Sequence, residues 1–326
     1  NNIFDAFSAA ASKFENNTAI VYLGTRFSYS KILKLAENFA SSLRNEGVRE
    51  GDRVIMYIPN SVQWVIAWLG IQRAGAEAVP ITPIYTAHDL QYIANDSGAK
   101  YVICSDANYG YVKQALTETG LKKVIVTKLS DLLPWWKRLF GWAFDKVPKG
   151  KVSKDQTTVF FRKMVYSQAR HSQLPPLKVE ETGTAEVLYT GGTTGESKCA
   201  LHTHRSLYMG MLNQTVAERI VPGDVYMLTG QMFHIPVGLA MNYQAHGCPL
   251  VLINFEAQLA LEVIQQERVS AFLGITTMKS ACDMWNYQEI ISEARPAVIV
   301  EFGSYAGGSA IYFNVIGRAV NPALKV

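Results

Sequence analysis

Within nine residues, positions 190–198, the chain places three glycines, three threonines and one lysine. The run around them, from 189 to 200, reads Y-T-G-G-T-T-G-E-S-K-C-A. Gly191, Gly192 and Gly195 open backbone angles closed to other residues and leave room for close approach to the main chain. Backbone N–H groups exposed in this way can converge on an anion. The hydroxyls of Thr190, Thr193 and Thr194 add donors, and Lys198 can set a positive charge on phosphate oxygens. That is the chemistry needed to hold a polyphosphate. The alternative is a glycine turn with no ligand, but this density of donors directly after a strand-like run favours a phosphate cradle. The run is not a Walker loop, because Glu196 and Ser197 separate the last glycine from the lysine. A second candidate is His234 in Q-M-F-H-I-P-V-G-L, which follows a strand end, where α/β sheets place ligands. A hydrogen-bonded core histidine is its alternative.

The elements that must position these residues have an α/β rhythm. Ile32, Leu35, Ala36, Phe39, Ala40 and Leu43 share one face of a helix predicted over 30–46, with Ser30 as its cap and Gly47 as its stop. Gly51-Asp52 turns the chain into a buried strand, 54–58, ended by P-N-S. The helix that follows, 62–75, is apolar almost all round and should be buried. Strand 78–81, helix 87–97, strand 101–104 and strand 123–127 continue the alternation, which indicates a largely parallel sheet. Strand 186–189 delivers the glycine run, and Thr203 can cap a helix after it. Strands 225–229, 249–253 and 271–274 and a helix over 256–267 complete the pattern.

Composition sets limits. The 326 residues carry a net charge of +4, with 48% hydrophobic and 18% charged residues. The balance is that of a globular protein with ample core, and no Lys/Arg run is dense enough to demand nucleic acid. The four cysteines (Cys104, Cys199, Cys248, Cys282) have no C-x-x-C spacing, which argues against a zinc site and for a reducing compartment. The first residues lack a basic region followed by an apolar core, so no secretory signal is predicted, and no apolar run reaches the roughly 20 residues of a spanning helix. A cytoplasmic protein is expected.

Residues 131–154 differ in kind. Three of the six tryptophans lie here with Leu132, Leu133, Leu139, Phe140 and Phe144, surrounded by Lys137, Arg138, Lys146, Lys149, Lys151 and Lys154. They read either as an insertion packing its aromatics on its own domain, or as a peripheral segment with indoles at headgroup depth and cations on anionic lipid.

The run at 189–200 is similar to the phosphate-loop signature of AMP-forming acyl-CoA synthetases, Y/F-T-S/G-G-T-T-G-x-P-K-G. Other stretches agree in order: F-S-Y-S-K-I-L-K-L-A, G-D-R-V-I-M-Y-I-P-N-S, L-G-I-Q-R-A-G-A, L-Q-Y-I-A-N-D-S-G-A-K, M-F-H-I-P-V-G-L and L-G-I-T-T-M. The resemblance spans about residues 3–279, and the aromatic-basic insertion looks like the long-chain fatty acyl branch. It implies the layered α/β fold of the adenylate-forming N-terminal domain. The implied reaction has two steps: a carboxylate such as a fatty acid attacks Mg-ATP to give acyl-AMP, and coenzyme A then takes the acyl group. ATP, Mg2+ and coenzyme A are the implied cofactors. Thr190, Gly191, Gly192, Thr193, Thr194, Gly195 and Lys198 fall on the ATP-phosphate positions, and His234 on the position near the substrate carboxylate. This sequence departs from the signature at Ser197 and Cys199, where the family has Pro and Gly. The family's adenine motif Y-G-x-T-E, its ribose motif Y-x-x-G-D and its lid lysine do not occur in the 326 residues. A truncated domain with impaired turnover is therefore expected. The alternative is a nucleotide- or lipid-binding remnant without catalysis.

Residues 284–326 read differently. A strand ending at Glu301 and a G-x-x-x-G-G-S run opening a helix form a Rossmann-like strand–loop–helix pattern. It resembles the first motif of S-adenosylmethionine-dependent methyltransferases of the cephalosporin-hydroxylase-like type. Glu301, Gly303, Gly307 and Gly308 would then face the cofactor, and the chain would join two partial domains between 279 and 284. The alternative is that this piece continues the synthetase domain, which also has a strand and a Gly-Gly turn at about this distance.

Overall fold

The computed structural model describes residues 2–138, 150–153, 155–167, 174–175, 179–190, 198–228, 230–233, 237–253, 257–274 and 298–301. In chain order the strands are β1 (Thr18–Tyr22), β2 (Thr25–Ser28), β3 (Arg53–Tyr57), β4 (Glu77–Pro80), β5 (Tyr101–Ser105), β6 (Lys123–Thr127), β7 (Thr158–Phe160), β8 (Thr184–Thr190), β9 (Lys198–Thr203), β10 (Tyr226–Leu228), β11 (Leu250–Leu252), β12 (Ala271–Gly274) and β13 (Val298–Glu301). The helices are α1 (Ile3–Lys13), α2 (Tyr29–Asn45), α3 (Val62–Arg73), α4 (Ala87–Ser97), α5 (Tyr109–Ala115), α6 (Phe161–Tyr166), α7 (His204–Glu218), α8 (Val237–Ala240), α9 (Asn242–Ala245) and α10 (Ala257–Glu267).

The strands form two sheets. One runs β7-β6-β5-β3-β4-β8-β9 and the other β13-β12-β10-β11-β1-β2. The first is parallel except for β8–β9, and the second is parallel except for β1–β2. Between the sheets lie α1, α2 and α3. Their apolar residues share one core with Val54, Met56 and Ile103 of one sheet and Ile20, Leu228 and Leu250 of the other. On the far face of the seven-stranded sheet, α4 and α5 cover Ile55, Val102 and Val124. On the far face of the six-stranded sheet, Ala260 and Ile264 of α10 cover Met227 and Val251. The result is a five-layer α/β/α/β/α stack, which confirms the layered α/β class read from the sequence.

Position in the stack explains the sequence patterns. Ile32, Leu35, Ala36, Phe39, Ala40 and Leu43 of α2 are all buried, while its other face reaches solvent. Helix α3 sits in the middle layer, and every residue from Val62 to Gln72 is buried. Its cap is Ser61, whose side chain accepts from Trp64 N at 3.2 Å. The cap of α2 is Ser28, not Ser30. Ser28 Oγ accepts from Lys31 N at 3.3 Å, and Ser30 Oγ only contacts Ser28 Oγ, so the helix starts one residue earlier than its apolar stripe suggests. Gly47 follows α2 with φ at +94°, where a side chain would be strained.

Helices α2 and α3 meet at Gly70. A Cβ there would lie 2.7 Å from Phe39 Cδ1 and 3.0 Å from the Ala36 carbonyl oxygen. Phe39 is itself wedged against Phe161, with ring centroids 4.7 Å apart. Gly70→Ala gains about 1 kcal/mol of helix propensity but overpacks a closed seam at a cost of about 1–3 kcal/mol. A net loss is expected in denaturant unfolding, and Gly70→Val should lose more.

Candidate functional site

The glycine run is held by a hairpin. Strands β8 and β9 are antiparallel and in register from Glu186↔His202 to Thr190↔Lys198. Thr190 and Lys198 therefore face each other at the hairpin's end, and residues 191–197 join them. Gly191, Gly192, Thr193, Thr194 and Gly195 lie outside the described residues. Lys198 is exposed at the start of β9. The sequence reading runs from the glycine run straight to a helix, whereas the structure inserts β9 first. That strand is at the sheet edge, and Lys198, Cys199 and Leu201 are exposed on it, so no buried alternation marks it in the sequence. Helix α7 begins only at His204, where Thr203 Oγ1 accepts from Ser206 N at 3.1 Å, as expected for its cap. Cys199 is exposed, so the side chain that replaces the family's glycine has open space.

Strand β8 is fixed by three side-chain contacts, one from α4 and two from α3. Tyr189 OH donates to Asp96 Oδ2 of α4 at 2.5 Å. Gln72 Nε2 of α3 donates to the Ala185 carbonyl at 2.9 Å. Glu186 is fully buried, and its Oε2 accepts from the indole N–H of Trp68 at 2.8 Å. Its other oxygen makes no hydrogen bond; the Val237 amide of α8 lies nearby but outside hydrogen-bonding geometry. Burial pushes the Glu186 carboxyl up to about 8, so it is protonated at neutral pH; the indole contact opposes this only in part. Opposite it on β9, burial lowers His202 below the ordinary histidine value. The hairpin base is thus uncharged near pH 7.

His234 also lies outside the described residues, but the segment leading to it does not. Asn60, the middle residue of P-N-S, is buried between the two sheets. Its Nδ2 donates to the Gly230 carbonyl at 2.7 Å, and its Oδ1 accepts from Met232 N at 2.9 Å. One amide side chain thus holds a carbonyl and an N–H of the segment 230–232, two to four residues before His234. The sequence pattern marks P-N-S as the end of a strand and the opening of a helix, and Glu186 as a strand residue. A lone carboxylate in the apolar strand just before the glycine run is a signal for Glu186; Asn60 carries none.

Of the second set of candidates, the structure describes the backbone of Glu301. It ends β13, paired with Gly274 of β12 in parallel. Gly303, Gly307 and Gly308 lie outside the described residues. Among the described residues no cluster of His, Cys, Asp or Glu could hold a metal ion.

The chain belongs to the AMP-binding enzyme family, whose model matches residues 7–311. It is 28% identical over 334 residues to a long-chain-fatty-acid–CoA ligase of Haemophilus influenzae, covering 97% of this chain and 58% of that protein. It is 31% identical over 248 residues to one of Salmonella typhimurium, covering 74% and 44%. The chain thus spans about half the length of the curated relatives it matches. Among solved structures, a long-chain-fatty-acid–CoA ligase of Archaeoglobus fulgidus superposes with a TM-score of 0.77 at 22% identity, over 100% of this chain and 63% of that one. A benzoate CoA ligase of Burkholderia xenovorans gives 0.72 at 19% identity, over 92% and 55%. These likenesses show the shared fold.

The family match also takes in Glu301, Gly303, Gly307 and Gly308, and β13 extends the same sheet that carries β1, β10 and β11. Nothing supports S-adenosylmethionine.

Proposed function

We propose that the hairpin β8–β9 presents ATP phosphates to a carboxylate substrate, and that the protein of which these residues are part forms an acyl-adenylate and passes the acyl group to coenzyme A. The observation that carries this is the Thr190↔Lys198 pairing. It returns the lysine to the mouth of the G-G-T-T-G stretch, where its ammonium can neutralise charge on phosphates held by backbone N–H groups. Mg2+ enters with ATP. The long-chain-fatty-acid–CoA ligases among the relatives support a fatty acid as the carboxylate. His234, placed after the segment clamped by Asn60, is the group proposed to meet that carboxylate.

The test is carboxylate-dependent ATP–pyrophosphate exchange with palmitate and with benzoate. Lys198→Ala should lower exchange by about 10²–10³-fold, the usual cost of removing one charge-stabilising group. Unchanged exchange in that variant would remove the proposed role of Lys198. Failure of the whole reading would show as no binding of ATP at all.

A peripheral membrane contact through 131–154 is also proposed. Leu132 and Leu133 are buried in the core, but Trp135 and Trp136 are 75% and 46% exposed. Two adjacent indoles left in solvent beside cations suit a headgroup layer. No described helix is long and apolar enough to cross a membrane.

A further inference from the structure

We propose that the groove at the carboxyl ends of β6 and β7 is a binding site for a phosphate-bearing anion. The groove has a volume of about 530 Å3, within the range of small-molecule sites. It is lined by Lys128, Arg138, Arg162 and Lys163, with Asp131 and the rings of Phe160 and Tyr166. Four cations therefore meet one carboxylate. That carboxylate is already engaged: Asp131 Oδ2 accepts from Lys128 N at 2.9 Å and from Thr127 Oγ1 at 3.3 Å, closing the turn after β6. None of the four cations forms an ion pair among the described residues.

The cations come from three separate segments and are aimed by their neighbours. Lys128 directly follows β6. Arg138 lies in the helical turn described over 135–138. Arg162 and Lys163 lie in α6, immediately after β7. Arg162 Nε donates to the Asp131 carbonyl at 3.1 Å, and its guanidinium lies 5.3 Å from the centre of the Tyr166 ring. Lys163 Nζ lies 6.0 Å from the centre of the Phe160 ring. These contacts hold like charges together at one wall, which is unfavourable unless an anion sits among them. A phosphate group accepts hydrogen bonds from several such donors at once.

The location separates this groove from the glycine run. Strands β7 and β6 form one edge of the seven-stranded sheet and β8–β9 the other. Five strand spacings lie between β7 and β8, about 24 Å at the usual separation. The adenylation reading does not depend on this groove, nor the groove on it. Trp135 and Trp136 stand in the same turn as Arg138, so the anion can be a phospholipid headgroup or a soluble phosphate compound.

Two probes distinguish these: inorganic phosphate, followed by titration calorimetry, and vesicles of phosphatidylglycerol or of phosphatidylcholine alone, followed by co-sedimentation. The groove variants are R162A/K163A and, separately, K128E, all at exposed positions. K34A/K122A removes the same charge as the double variant from exposed positions elsewhere. Binding of at least one probe is expected to weaken tenfold or more in both groove variants and less than twofold in the control. Phosphatidylglycerol binding that is lost in W135A/W136A identifies a lipid headgroup. Phosphate binding without vesicle binding identifies a soluble compound; the groove then stands while the membrane contact proposed above fails. If neither probe binds, or if groove and control variants lose equally, the site is refuted.

Discussion

Glu186→Gln is expected to leave stability nearly unchanged at pH 4.5 and to raise it at pH 8, with roughly 5 kcal/mol as the ceiling. The sign follows from where the proton sits. In the folded chain the buried carboxyl keeps its proton up to about pH 8, whereas in the unfolded chain it releases it near 4.5. Its stabilising contribution is fully present below 4.5 and is lost as pH rises through 8, because only the unfolded state gains by ionising. Glutamine cannot ionise, and it can still accept from the Trp68 indole. The variant should therefore gain on the wild type by about 1.4 kcal/mol per pH unit across this window, then level off. Burial also lowers His202, but that shift is common to both proteins and cancels in the difference. Urea unfolding of the two proteins from pH 5 to 9 measures it. A difference that stays flat over that range would show that Glu186 is ionised in the fold.

Asn60→Ala is expected to cost about 2–4 kcal/mol and to damage the site as well. Two hydrogen bonds are lost in a buried place, and the Gly230 carbonyl and Met232 N–H are left without partners. The second effect distinguishes a positioning role from a merely structural one. At temperatures where the variant remains folded, ATP–pyrophosphate exchange should still fall, by about 10²-fold if the His234 segment moves by an ångström. The fall should lie in the rate at saturating carboxylate, with ATP binding retained. Asn60→Asp keeps the acceptor for Met232 N but sets a carboxyl against the Gly230 carbonyl, so it should come nearest the wild type at low pH, where the protonated carboxyl can donate, and fall away as pH rises. Exchange unchanged in folded Asn60→Ala would assign the residue to stability alone.

Much of the scaffold around these residues can be read from the chain. The boundaries of α4, β6 and β12 agree with the sequence reading to the residue, and α2 and α3 within one or two. Their signals are strong: a single apolar face on α2, an apolar run all round on α3, and short branched runs such as K-V-I-V-T in β6. The glycine run is also legible, because its residues act locally. What is not legible is long-range. Strand β9 is exposed and, among the described residues, pairs only with β8, so it carries no burial pattern. Asn60 takes its meaning from residues 170 and 172 positions away, and Glu186 from an indole 118 positions away. The cations of the groove are spread over 128–163, and only packing of α6 against the turn after β6 brings them together. The aromatic-basic segment was likewise ambiguous in the sequence. Of its described residues, Leu132 and Leu133 are buried and Trp135 and Trp136 exposed, while 139–149 and 154 lie outside the described residues.

The pairing of β1 with β11 governs how this chain must be made. Ile20 lies beside Leu250 and Tyr22 beside Leu252. At ribosomal speeds of about 5–20 residues per second, the first strand waits roughly 12–46 s for its neighbour. The strands of the other sheet from β3 to β7 emerge earlier and pair with one another. During that interval Ala19, Ile20 and Phe27, all fully buried at the end, have no sheet to close on. The hairpin β1–β2 is then an apolar surface on a nascent chain, and chaperone capture or mispairing competes with native closure at that stage of synthesis.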